Sequence, residues 1–208
     1  MEYLAIIATI LLVDLVALVS PGPNFVLVSS AAIVQSRKQA LWTAGGIATG
    51  SLTWAAAAAL GIVSVFEVFP LLGLLLKVVG VAYLIYLGVG LLRSKGFEPT
   101  QGQSLNPEAK SGAKGFWRGL MVNMTSPKSA AYYASVFAAF LTPEMPAWVL
   151  VVLVSSIAAL SLVWHLVLAI GLSAAPIKAK YIAASKYVER LFGGLLVLLG
   201  LRLALDTS

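Results

Sequence analysis

The chain has 208 residues, of which 60% are hydrophobic and only 11% charged, and its mean hydropathy is +0.96. Soluble domains run about 45–50% apolar and about 25% charged, and a small domain buries too little of its surface to hide this much hydrocarbon from water. Lipid must therefore be much of the solvent, which excludes a soluble enzyme, a nucleic-acid-binding domain and a disordered chain. With no Cys, disulfides, thiolate metal sites and dithiol redox chemistry are also excluded. The single His argues against a His-built metal centre, so no metal and no cofactor are expected.

A bilayer core about 30 Å thick needs about 20 apolar helical residues. Residues 3–34 are apolar except for Asp14 and the interruption Ser20-Pro21-Gly22-Pro23-Asn24. Residues 41–65 carry no charge, 71–92 carry only Lys77, and 119–141 only Lys128. Residues 147–175 have no charge but contain His165, and 191–205 contain Arg202 near their end. These runs are too long, and alternate too little, for barrel strands. They predict an all-α integral membrane protein with six transmembrane helices. The start, Met1-Glu2, lacks the basic region of a secretory signal and is read as part of the first permanent helix.

Most Lys and Arg fall in alternate connections. Arg37 and Lys38 lie in the first, Arg93, Lys95, Lys110, Lys114 and Arg118 in the third, and Lys178, Lys180, Lys186 and Arg190 in the fifth. The second and fourth connections, around Glu67 and Glu144, have none. The positive-inside rule then makes the odd connections cytoplasmic and turns both termini outward. Residues 94–115, polar and rich in Gly, Pro, Ser and Gln, read as a flexible cytoplasmic linker. They separate one three-helix half, 1–93, from another, 116–208. With an odd number of spans in each, two similar halves would be inverted relative to each other.

The first helix of each half is broken, by Ser20-Pro21-Gly22-Pro23-Asn24 and by Asn123-Met124-Thr125-Ser126-Pro127-Lys128. Ser20-Pro21 and Ser126-Pro127 align at a constant offset. Proline removes an N–H and clashes one turn back, and main-chain groups freed this way survive in a membrane only inside protein or along a wet cavity. The helix N-termini beginning near Asn24 and Lys128 carry partial positive charge. Facing broken helices near the midplane are the expected substrate site of an inverted-repeat transporter. A carboxylate would suit the paired N-termini, with Lys128 adding charge. A single proline most often makes only a kink, and Asn24 and Asn123 can cap freed backbone without any solute; Pro-Gly-Pro matched by a second proline break in the mirrored helix favours the substrate site.

Other polar residues fall within the spans. Asp14 is costly there, and is either a proton carrier or a neutral structural group. Lys77 can pair with Asp14 or snorkel outward. His165, beside Trp164, is most simply an interhelical hydrogen-bonder. Gly45, Gly46 and Gly50 read as helix packing. Trp42, Trp117 and Trp148 fall near span ends, as aromatic belts do. Residues 177–186 mix basic and apolar side chains and are expected along the inner membrane surface.

At these residues the sequence resembles the lysine exporter / homoserine-threonine efflux family (LysE/RhtB type). The resemblance is carried by Ser20-Pro21-Gly22-Pro23-Asn24, by Gly45-Gly46 with Gly50, and by Lys77-Val78-Val79-Gly80-Val81-Ala82-Tyr83-Leu84-Ile85-Tyr86-Leu87-Gly88. It continues through Gly115-Phe116 to Asn123, Pro127 and Lys128, and then the Gly-rich last helix. Members usually carry Asn-Pro-Lys where this chain has Ser126-Pro127-Lys128. The resemblance implies secondary active export of amino acids or close derivatives from the bacterial cytoplasm across the inner membrane, by proton antiport.

The expected substrate site is Pro21, Gly22, Pro23, Asn24, Asn123, Ser126, Pro127 and Lys128, with Asp14 and Lys77 as a coupling or gating pair. The expected partners are an amino acid, a proton and the bilayer; a homodimer is left open. A carrier for another metabolite or anion is the alternative. An intramembrane enzyme is disfavoured, because no Gly-x-Ser-x-Gly or His-Glu-x-x-His motif accompanies the lone His165.

Overall fold

A computed structural model of the chain describes residues 2–20, 22–68, 70–94, 112–142, 144–171 and 175–206. Among them there are eight α-helices and no strand. They are α1 (Glu2–Val19), α2 (Pro23–Ser30), α3 (Arg37–Val68), α4 (Pro70–Leu92), α5 (Gly112–Met124), α6 (Pro127–Phe140), α7 (Ala147–Gly171) and α8 (Ala175–Asp206). A π-helical turn, Ala31–Gln35, extends α2.

Both expected interruptions are present, and each divides one apolar stretch into two helices. Pro23 and Pro127 are each the first residue of the second piece, a position where proline costs nothing because its missing N–H would have had no helical partner. The structural counterpart of Ser126-Pro127 is therefore Gly22-Pro23, two residues beyond the pairing read from the sequence. Pro21 itself lies outside the described residues. Tyr3–Val19 and Pro23–Ser30 are bent by 58° and together are long and apolar enough for one crossing; Arg37–Ile62 and Ala147–Gly171 each suffice alone. Val78–Leu92 is a shorter apolar helix.

Two further expectations meet the structure at helix boundaries. Helix α5 begins at Gly112, inside the stretch read as linker, and residues 95–111 lie outside the described set. Residues 177–186 belong to α8, which runs on unbroken into the apolar last stretch. The start of α3 is capped by Ser36, whose Oγ accepts the Gln39 N–H at 3.1 Å.

Helix α3 packs most extensively on α5 and α7, and α4 on α8 and α6. The closest approach is between α3 and α5. A Cβ on Gly46 would run into the Phe116 carbonyl, and one on Gly119 into the Thr43 carbonyl. Small residues at such crossings let backbones touch, which is how helices gain packing energy in lipid, where no hydrophobic drive separates them from the solvent. Gly88 on α4 and Gly193 on α8 face each other in the same way.

The main core joins Ile10, Val13 and Val16 of α1, Ala55 and Ala59 of α3, Leu84 of α4, Val136 and Phe137 of α6, and Leu153 and Ile157 of α7. The outer surface is apolar as well, with Leu60, Leu71, Tyr86, Leu198 and Leu205 all exposed. An exposed apolar surface this extensive marks a lipid-facing molecule. Trp42, Trp117 and Trp148 are also exposed.

Because Gly46 abuts main chain rather than a yielding side chain, Gly46→Leu should lower the melting temperature of the detergent-solubilised protein, at a cost of at least about 1–3 kcal/mol. Gly90→Ala, where no atom lies within 4 Å, should leave it unchanged or raise it slightly, since helical Gly costs about 0.5–1 kcal/mol relative to Ala. Circular-dichroism melting curves of the two variants make the comparison.

Candidate functional site

The two breaks meet at one cavity of about 60 Å3, room for a few waters. Its wall is drawn from α1 (Asp14, Ala17, Leu18), the first break (Ser20, Gly22), α2 (Pro23, Asn24, Phe25), α3 (Ser51), α5 (Asn123), α6 (Lys128, Ser129, Tyr132, Tyr133) with its cap Ser126, and α7 (His165). The distance between the breaks is short: a methyl group placed on Gly22 would lie 3.6 Å from Lys128 Nζ. Six of the eight expected substrate-site residues, Gly22, Pro23, Asn24, Asn123, Ser126 and Lys128, line this cavity together with Asp14. Pro127 begins α6 directly behind it. Lys77 is on α4, and its side chain lies outside the described set.

The second break shows how freed backbone is satisfied. Pro127 has no N–H for the carbonyl of Asn123, one turn back. That carbonyl instead accepts from the Ser126 N–H at 3.2 Å and from the indole Nε1 of Trp54 on α3, also at 3.2 Å. Ser126 caps α6 by accepting the Ser129 N–H at 3.3 Å. At the first break, Gly22 precedes α2 and supplies no side-chain cap, so the positive end of α2 faces the cavity beside Lys128.

A run of polar contacts crosses three helices behind the site. Asn123 Nδ2 donates to Ser51 Oγ at 3.3 Å. Ser51 Oγ and Ser161 Oγ of α7 share a hydrogen bond of 3.0 Å. His165 Nδ1 lies 2.7 Å from the Ser161 carbonyl; a carbonyl only accepts, so Nδ1 carries the proton and Nε2 is left as an acceptor. The Tyr133 hydroxyl interacts with both Ser51 and Asp14. Gly50 makes space for this arrangement, since a Cβ there would sit 2.8 Å from Asn123 Cβ.

Several polar atoms in the wall have no partner among the described residues. Both oxygens of Asp14, the Oδ1 atoms of Asn24 and Asn123, and the Tyr132 hydroxyl are buried without a hydrogen bond. Asp14 is 1% exposed and Asn123 likewise 1%. The Tyr132 and Tyr133 hydroxyls adjoin the Asp14 carboxyl and act on it as hydrogen-bonding neighbours, although neither Asp14 oxygen meets a donor in well-formed hydrogen-bond geometry among the described residues. Buried groups left in this way are rare and call for a reason.

Sequence reading missed Ser51, Tyr132, Tyr133 and Trp54. Tyr132 follows Lys128 by one helical turn, a spacing that puts it on the same face, and Tyr133 is its neighbour in the chain. It also missed Glu189, buried on α8 and acting electrostatically on Lys128, because that residue sits among the basic side chains Lys186 and Arg190.

The LysE type translocator family model matches residues 15–207, from beside Asp14 to the end of α8. The chain belongs to this family. The threonine efflux protein of Escherichia coli K12 is 30% identical over 98% of the chain and 99% of its own length. The threonine efflux protein of Salmonella typhi is 30% identical over 95% of the chain and 97% of its own. A homoserine/homoserine lactone efflux protein of Salmonella typhimurium is 30% identical over 61% of the chain and 60% of its own length. No solved structure matches. Like the resemblance read from Ser20-Pro21-Gly22-Pro23-Asn24, the family match identifies a transmembrane amino-acid efflux transporter, and the cavity lies where the two most unusual segments of this LysE-family sequence come together.

Trp54→Phe keeps an aromatic ring and removes the indole N–H that donates to the Asn123 carbonyl. The variant should be less stable by about 0.5–1.5 kcal/mol, the net worth of one hydrogen bond to a carbonyl that keeps the Ser126 N–H as its other donor, as read from thermal unfolding of purified protein.

Proposed function

We propose that this protein is a secondary active exporter of amino acids or close derivatives, moving its solute out of the bacterial cytoplasm in exchange for protons. The observation that carries this reading is one cavity, reached by both broken helices, whose wall holds Asp14 and Lys128 together. A carboxyl and an ammonium group kept inside an apolar bundle are expensive and rarely without use. The compounds named for the relatives are threonine, homoserine and homoserine lactone. All three are small and carry a free amino group, and the lactone has no free carboxylate.

In this reading the chain crosses the inner membrane six times, with α1–α2 and α5–α6 each counted as one broken crossing. The basic connections face the cytoplasm and both termini face outward. The halves 1–93 and 116–208 are inverted copies. Support comes from the matching breaks with proline at each helix start, and from the pairing of α3 with α7 and α4 with α8. Those are the contacts an inverted repeat makes across its own axis. Rocking of one half against the other around Gly22, Asn24, Ser126 and Lys128 then opens the cavity to each side in turn. Lys128 and the uncapped N-terminus of α2 hold the carboxylate where one is present. Asp14 carries the exchanged proton, with Lys77 as the second member of a coupling or gating pair.

Purified protein in proteoliposomes should exchange labelled threonine or homoserine in counterflow, and an imposed proton gradient should drive either uphill. Asp14→Asn should reduce the proton-driven component at least about tenfold, with a melting temperature close to that of the parent. Full proton-driven export by Asp14→Asn would remove Asp14 from coupling. Exchange of organic anions with none of the amino acids would replace the reading with an anion carrier.

A further inference from the structure

We infer that the cavity is bipolar, and that its acceptor end, formed by Asp14, Asn24 and Asn123, binds the α-ammonium group of the solute while Lys128 stands at the opposite end. This rests on the export reading and adds to it the identity of the group that is recognised.

The acceptors are buried atoms of the wall that meet no donor in well-formed hydrogen-bond geometry among the described residues, with the Tyr132 and Tyr133 hydroxyls adjoining those of Asp14. Asp14 contributes two oxygens, and Asn24 and Asn123 one amide oxygen each. Asn123 Nδ2 donates to Ser51, which leaves its Oδ1 as the end able to accept. His165 Nε2 is a further acceptor in the same wall, since Nδ1 spends its proton on the Ser161 carbonyl. An ammonium group has three donors and no acceptor, which is the complement of this set. Water would satisfy single atoms, but a cation that also neutralises a buried carboxylate offsets far more of the desolvation cost.

The poles are held apart. Lys128 lies against Gly22 of the first break, and it does not hydrogen-bond to Asp14. Tyr132, one turn along α6, about 6 Å on, abuts Asp14. A solute lying between these ends meets positive charge at one and acceptors at the other. Because a proton and an ammonium group would occupy the same two oxygens of Asp14, the two loads exclude each other, which is the condition that exchange requires.

The test is inhibition of labelled L-threonine counterflow in proteoliposomes by three analogues that each alter one pole. Threonine methyl ester keeps the ammonium group, N-acetylthreonine masks it, and 2,3-dihydroxybutyrate replaces it with a hydroxyl. In the parent protein the ester should inhibit, and the other two should be weaker by about tenfold or more, because they leave buried acceptors unpaired. Asp14→Asn should compress that difference to about threefold or less. A variant that is merely damaged would lose rate without changing the order of inhibitors, and the parent series decides the matter even where Asp14→Asn does not fold. Inhibition by N-acetylthreonine or the hydroxy acid as strong as that by the ester would overturn the inference and leave amino-acid export standing. Absence of counterflow for threonine and for every other amino acid tried would remove both.

Discussion

Backbone that leaves a helix inside a membrane must find new partners, and the site described here is built from the ways in which this chain meets that demand. At Pro127 the lost helical bond to Asn123 is replaced from outside, by the indole of Trp54, and from within, by the Ser126 amide. Each replacement ties the break to a particular neighbour. Trp54 fixes α5 against α3, and Ser126 sets the direction in which α6 departs. The positions of Lys128, Tyr132 and Tyr133 follow from that direction, since all three lie in the first turns of α6 and line the cavity. The break is therefore the reason that a lysine and two phenols face a carboxyl on another helix.

Close packing makes this possible. The glycines of α3 bring α5 near enough for main chain to meet main chain at Gly46 and Gly119. One turn further along α3, Gly50 leaves the space that Asn123 fills. With a larger residue at Gly50, Asn123 would be displaced from Ser51 and its freed carbonyl from Trp54. Residues that read in the sequence as simple packing thus set the position of a polar side chain in the cavity wall. The price of that intimacy is intolerance of even a methyl group at the crossing.

The parts of the molecule legible in the sequence were those with a chemical cost. The hydrocarbon content dictated a membrane protein, Pro-Gly-Pro and Ser-Pro-Lys dictated broken helices, and Asp14 stood out as a carboxyl in an apolar run; the structure gathers these around one cavity. What could not be read was which helix faces meet. In a soluble helix the buried side is marked by an apolar stripe. In α1, α4 and α7 both sides are apolar, because lipid and neighbouring helices make similar demands. The pairing of Ser161 with His165 on α7 was invisible for that reason, and nothing in the sequence told which faces of α3 and α6 carry Ser51, Tyr132 and Tyr133 to the cavity. Glu189 was hidden differently, by basic neighbours that made its surroundings look solvated. The segment 177–186 was read apart from the last helix because its composition changes there, although hydrogen bonding along α8 takes no notice of composition.

The serine pair between α3 and α7 has one more property. Either hydroxyl of Ser51 and Ser161 can be the donor, and Tyr133 links Ser51 onward to Asp14. The run of O–H dipoles can thus point toward the carboxyl or away from it with every heavy atom in place. Turning a hydroxyl moves only its hydrogen, whereas helix displacements take microseconds or longer. The polarity of this part of the lining can therefore reverse without any displacement of the scaffold.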